Sequence, residues 1–376
     1  MRKNGIYIFI IVFIFLWVVP VPFLPAVTKT SEVEFKFKGK IGSEDRREEL
    51  FLDITDVKAD SQGNIFILDS RNNCVRKFSN ELKFLVETGR EGQGPGDMNS
   101  PSALALDPDG NVYVADNGNM RINVYDKNLV FLKSIRLKEP MFVRKIFVDR
   151  KGSLIILRIP RLKDDSYFNV YSSEGTFLKS FFNEFHPFAP KINSMKELRD
   201  NIGFLAYMAA QAVLSQDRSV IAFTYEVPEN PLVVHLMDIE GNNIRTIKRL
   251  LRGYDPVAQR KDIESIALKN KINLQGKHIV SYVRGLHFLE DGSLVLQRYD
   301  QIYEDGNPNG SISYLDCFSP DGNLQFSEKI LSIDIISIDS NNNVYACSLE
   351  SPLRSQLVIY SLGINRKAAA ITPADD

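Results

Sequence analysis

The chain has 376 residues, 44% hydrophobic and 25% charged, an ordinary globular composition. A net charge of -1 gives no electrostatic basis for holding nucleic acid or an anionic membrane surface. Its three cysteines, Cys74, Cys317 and Cys347, are odd in number and widely spaced, which suits buried strand positions better than a disulfide framework, and no pairing is expected.

Residues 1–26 read as a targeting segment. Arg2 and Lys3 supply a positive start, residues 6–19 run apolar without a break, and Pro20, Pro22 and Pro25 end the run. The run is shorter than the roughly 20 residues a membrane span needs, which favours a signal peptide. Leu24-Pro25-Ala26 is not a clean small-x-small cleavage site, so an uncleaved anchor stays open as the alternative. No cysteine follows the run to carry a lipid. Either way the rest of the chain is expected outside the cytoplasm, periplasmic or secreted.

After the leader, residues 32–41 alternate Val33, Phe35 and Phe37 as a strand does. The clearest unit is residues 101–137, where PSALALD, NVYVAD, RINVYD and VFLKSIRL are four short strands separated by Gly-, Asp- and Asn-rich turns. Asp109-Gly110 marks a tight turn, because Gly adopts positive φ without steric cost. The same turn recurs at Gly63, Gly152 and Gly292 and, degenerate, at Asn342. Between Gly152 and Gly292 one further unit fits, with Asp217-Arg218 in place of the glycine turn. Six units at this spacing match the repeat length of propeller blades.

Two stretches depart from the repeat. Ser194 with Glu197 forms a capping-box pattern ahead of the helical face Met195, Leu198, Ile202 and Leu205, giving a helical insertion in 183–207. Asp255-Pro256 opens a second expected helix, through about Asn270, in an insertion at 251–279. The sixth unit shows only three strands before a polar, Ala-rich tail from about 363 to 376. The strand at 32–41 is the expected fourth, and pairing it there would protect an open edge.

DPDGNVYVADNGNMRINVYD resembles an NHL repeat, and residues 92–101 resemble that family's inter-blade loop. ADSQGNIFILDSRNNCVRKF matches less closely. The resemblance implies an all-β, six-bladed β-propeller (residues 32–362) of four-stranded blades. It further implies a binding scaffold first and an enzyme second, since a minority of similar propellers are lactonases, amidating lyases or strictosidine-synthase-like proteins.

In such a ring the start of each inner strand and the end of each second strand share one face. The second-strand ends are Asp69, Asp116, Arg158, Thr224, Arg298 and Ser348, and the inner-strand positions are Thr55, Ser102, Arg144, Ala210, Arg284 and Asp334. Units three and five thus send two arginines each toward the channel mouth, Arg144 with Arg158 and Arg284 with Arg298. Guanidinium groups suit a carboxylate or a uronate-like anion. The expected ligand site is therefore Arg144, Arg158, Arg284 and Arg298 with Asp69, Asp116 and Asp334. A purely structural reading competes, in which the carboxylates satisfy turn amides and neutralise the arginines.

His186, His235, His278 and His287 occupy no equivalent repeat positions and lack i,i+4 spacing, so no metal site and no cofactor is expected. The glycine-rich loop at 92–96 has no Lys-Ser/Thr after it and is no phosphate loop. The cluster Lys248-Arg249-Leu250-Leu251-Arg252 reads as a solvated strand end. Taken together, the residues imply an exported, non-catalytic propeller that binds an unknown glycan, peptide or envelope protein, with no nucleic acid partner and membrane contact only through residues 1–26 if uncleaved. A hydrolase or lyase centred on the channel mouth is the alternative.

Overall fold

The computed structural model describes residues 33–43, 45–137, 142–160, 165–184, 210–225, 231–251, 276–305, 307–330, 333–348 and 355–365. The expected leader, both expected helices (with His186) and the tail beyond residue 365 lie outside these. Within them the chain forms six four-stranded antiparallel sheets. Sheet one holds β2 (Ile54–Ala59), β3 (Ile65–Asp69), β4 (Cys74–Phe78) and β5 (Phe84–Thr88). Sheet two holds β6 (Pro101–Leu106), β7 (Val112–Asp116), β8 (Arg121–Tyr125) and β9 (Phe131–Arg136). In sheet three the strands are β10 (Val143–Val148), β11 (Leu154–Arg158), β12 (Phe168–Tyr171) and β13 (Phe177–Phe181), and in sheet four β14 (Ala210–Leu214), β15 (Val220–Tyr225), β16 (Leu232–Asp238) and β17 (Asn243–Arg249).

Sheet five is the longest: β18 (Lys277–Phe288), β19 (Leu294–Glu304), β20 (Asn307–Phe318) and β21 (Leu324–Ile330). Its first strand begins inside the stretch assigned from sequence to the second insertion. Sheet six joins both ends of the chain. β22 (Ile333–Ile338), β23 (Asn343–Ser348) and β24 (Leu357–Ile364) are followed by β1 (Val33–Ile41), which pairs with β24 from Val33 opposite Ile364 to Ile41 opposite Leu357.

A sheet with two apolar faces is stable only between neighbours, and the large core clusters lie between successive sheets. Phe66, Leu68 and Val75 of sheet one meet Leu104, Val112 and Val114 of sheet two. Ile155, Leu157 and Phe168 of sheet three meet Ala212, Ile221 and Phe223 of sheet four. Tyr345, Cys347 and Ile359 of sheet six meet Ile54, Val57 and Ile67 of sheet one, so the last sheet packs against the first. The second strands β3, β7 and β11 are buried along their whole length. Fourth strands alternate toward solvent, as in β5 and β13.

The recurring turn has a common chemistry. Asp60, Asp107 and Asp339 each accept backbone N–H groups two and four residues on, plus the side-chain amide of Asn64, Asn111 or Asn343. Gly63, Gly110, Gly152 and Gly292 take positive φ there, and Arg218 (φ 58) and Asn342 (φ 57) stand in the same place in units four and six.

Candidate functional site

The inner strands carry bulges at matched places. The ladder slips between Ile54 and Asp56, Pro101 and Ala103, Val143 and Lys145, and Val283 and Gly285. The extra residue at each slip is Thr55, Ser102, Arg144 or Arg284, and all four line the central cavity. A bulge frees one residue from the ladder and re-aims its side chain. Sheet four has no slip, so Ala210 is packed in the core and Gln211 takes the cavity wall. In sheet six the slip falls at Ile336, with Asp334 also on the wall.

The cavity measures about 730 Å³, enough for a small-molecule ligand. Arg284 is exposed, its guanidinium lying 5.2 Å from the centre of the Tyr299 ring. Behind the wall, next to Thr55 on β2, the fully buried Asp56 carboxylate accepts from Val57 N–H (3.0 Å), Lys58 Nζ (2.5 Å) and, on the neighbouring sheet, Leu104 N–H (3.1 Å). Lys145 Nζ stands 3.7 Å away. Burial pushes the Asp56 carboxyl up, but the Lys145 and Lys58 ammoniums outweigh it and hold the group below its ordinary value. His287 is lowered to about 3, first by burial and then by the same two ammoniums, so its ring is neutral. Its Nε2 is buried with no hydrogen-bond partner among the described residues.

At the far end, Arg218 explains why unit four lacks the turn glycine. From sheet four its guanidinium donates to the Val148 carbonyl of sheet three (2.6 Å) and the Leu106 carbonyl of sheet two (3.0 Å).

Asp69, Asp116, Arg158 and Arg298 do not line the cavity. Asp69 is fully buried and accepts from Leu52 N–H (3.1 Å), Asp53 N–H (3.0 Å), Asn72 Nδ2 (2.7 Å) and Arg76 (3.3 Å). Asp116, likewise buried, accepts from Asn99 N–H (2.7 Å), Asn119 Nδ2 (2.8 Å) and Arg121 Nε (2.9 Å). Arg121 then donates to the carbonyls of Gln93, Gly94 and Asp97, which fixes the glycine-rich loop as structure.

Arg158 and Arg298 sit at this same second-strand position. Arg158 is buried and pairs with Asp165 at 2.5 Å, while Arg298 pairs with Asp300 and stacks over Tyr314 at 4.5 Å. Of the seven residues proposed from sequence, the structure brings Arg144, Arg284 and Asp334 to the cavity. It keeps Arg158, Arg298, Asp69 and Asp116 within the sheets. Lys58, Lys145 and Asp56 were missed. Their signal was charge inside short inner strands, in TDVKA and VRKIFV.

All three cysteines are buried thiols, and burial pushes Cys74 and Cys317 up to about 12, where a thiol is unreactive. His235 packs edge-on to Phe182 with ring centres 4.9 Å apart. Among the described residues no cluster of His, Cys, Asp and Glu is arranged to hold a metal ion, and no helix is long and apolar enough to cross a membrane.

Six four-stranded sheets, each packed on the next around a polar cavity, define a six-bladed β-propeller. The NHL repeat family matches residues 51–78 and 98–125, the segments that hold the Asp69–Arg76 and Asp116–Arg121 pairs. The chain thus carries two NHL repeats within its propeller. Human NHL repeat-containing protein 3 is 38% identical over 76 residues, and the mouse protein of that name 37% over 76 residues. The match covers 19% of this chain and 22% of either relative. A DUF4221 family member from Bacteroides vulgatus superposes with a TM-score of 0.59 at 10% identity, over 89% of this chain and 98% of that one. A protein from Bacteroides fragilis assigned to export gives 0.58 at 13% identity, over 89% and 95% of the two chains. At these identities the likeness is one of fold.

Proposed function

We propose that this chain is an exported propeller that binds a carboxylate-bearing ligand in its central channel without transforming it. The observation that carries this reading is the placement of Arg144 and Arg284 on ladder bulges of two different blades, both on the wall of one cavity. Bulge residues on a rigid ring are held in position by the sheet yet are spared from its hydrogen bonding, which suits recognition. Guanidinium groups stay charged in any pocket and offer paired donors to a carboxylate. Export is supported by the leader-like pattern of residues 1–26 and by the likeness to the Bacteroides fragilis protein.

The test is calorimetric titration of the full chain with monocarboxylates and uronates, octanoate and galacturonate among them. Arg144→Ala combined with Arg284→Ala should weaken binding by about tenfold or more. Unchanged affinity in the double variant, or no binding of any carboxylate by the native protein, overturns the reading.

A further inference from the structure

The cavity wall is polar at one end and apolar further in. Thr55, Ser102, Arg144, Gln211, Arg284 and Asp334, one from each blade, stand four or five positions ahead of the residue that opens the turn after their inner strand. Closer to the turns, one to three positions ahead of them, the wall carries Leu106, Phe147, Val213, Leu214 and Ile336. Each of these five is half-buried, packed on one flank against the core between two blades and bordering the bore on the other. In sheet six the ladder slip that gives an arginine in sheets three and five gives Ile336 instead. Lys58, at this inner depth, folds its ammonium back toward the mouth, to Asp56 Oδ1 (2.5 Å) and the Val57 carbonyl (3.2 Å).

Arg218 crosses the inner end. Anchored on sheet four, it reaches Val148 of sheet three and Leu106 of sheet two, and all three residues line the cavity. Arg144 and Val148 are four residues apart on β10, a span of about 13 Å at about 3.3 Å per residue. The bore thus offers guanidinium groups at its mouth, an apolar stretch behind them and a guanidinium across its far end. Apolar side chains bordering a bore gain free energy when an apolar group displaces the water against them.

We propose that the ligand is a medium-chain aliphatic monocarboxylate. Its carboxylate meets Arg144 and Arg284, and its alkyl tail runs inward over Leu106, Phe147, Val213 and Ile336 toward Arg218. This rests on the channel reading given above and narrows it. A uronate could use the same mouth, but its ring would set hydroxyls against apolar side chains, which costs free energy.

The experiment titrates the full chain calorimetrically with butyrate, hexanoate, octanoate, decanoate and dodecanoate, and with galacturonate. Affinity should rise about threefold per added methylene and level off once the tail spans the distance to Arg218. The heat-capacity change of binding should become more negative with each methylene along the rise, a readout that needs no variant. Galacturonate should bind at least about tenfold more weakly than octanoate. Val213→Thr keeps the shape of the side chain and adds a hydroxyl to the wall. It should weaken octanoate about fivefold and leave butyrate, too short to reach it, unchanged. Affinity and heat capacity independent of tail length, galacturonate bound as tightly as octanoate, or octanoate indifferent to Val213→Thr overturns the apolar inner half while leaving the arginine site standing. Failure of every carboxylate to bind, galacturonate included, removes both.

Discussion

Blades one and five place an ion pair at the same backbone positions with the charges exchanged. In blade one the second strand ends in Asp69, and Arg76 stands opposite Ile67 on the third strand. In blade five Arg298 holds the equivalent position on the second strand, and Asp316 stands opposite Leu296. The exchange is not neutral. A carboxylate at the strand end collects loop amides, as Asp69 does from Leu52 and Asp53, whereas a guanidinium there offers more donors to a loop that already has them. Both oxygens of buried Asp316, and Nε of Arg298, accordingly lack hydrogen-bond partners among the described residues, with Arg298 Nε 3.7 Å and Arg249 Nε 3.8 Å from the carboxylate. The lesson is that the acidic position of the repeat serves to knit loops, and that inverting it leaves an ion pair without that service.

The sharpest way to break this comparison is to remove the acids. Asp116→Ala strands Arg121 beside the loop it holds and should cost about 3–5 kcal/mol in urea unfolding. Asp316→Ala should cost about 1 kcal/mol or less, because no formed hydrogen bond is lost. Equal losses at the two sites would refute the argument.

Blade five also carries His287, and a pH series sharpens the contrast. Its folded value of about 3 lies below the ordinary 6.5, so the fold favours the neutral ring. As pH falls below 6.5 the unfolded chain gains a proton that the folded chain refuses. This contribution is therefore complete above that pH and is lost progressively toward 3. Between pH 6.5 and 5 the loss should reach about 2 kcal/mol, and His287→Asn should remove that slope from a series of denaturation midpoints. A slope unchanged by the substitution would mean the ring is protonated in the fold.

The smallest effect is expected in blade four. Arg218→Gly relieves a left-handed backbone worth about 1 kcal/mol but forfeits two charged hydrogen bonds to neighbouring blades, for a net loss of about 1–2 kcal/mol. A stabilised variant would show that the reach across the ring contributes nothing.

The blades were legible because their signals are local. A two-residue alternation closed by an Asp- and Gly-rich turn needs no knowledge of neighbours, and even Arg218 declared itself by occupying the glycine position. Residues 33–41 showed the same alternation, and they lie hydrogen-bonded to β24. Counting back from the turn also found Arg144 and Arg284, since the count absorbs the bulge in the same way in blades one, two, three and five. It failed for Ala210, where the ladder does not slip. Arg158 and Arg298 were misdirected because sequence spacing gives a residue's height on the ring but not which way its side chain turns. The Asp56–Lys58–Lys145 cluster escaped notice because it joins strands from different blades, a proximity that only closure of the sheets creates.

The bulges described on the inner strands make the ring easy to retune. A residue that the ladder skips has no Cα partner on the neighbouring strand, so exchanging the exposed Arg284 alters what the bore attracts while the staves around it keep their fit. Related rings built on this frame can therefore diverge in taste one stave at a time.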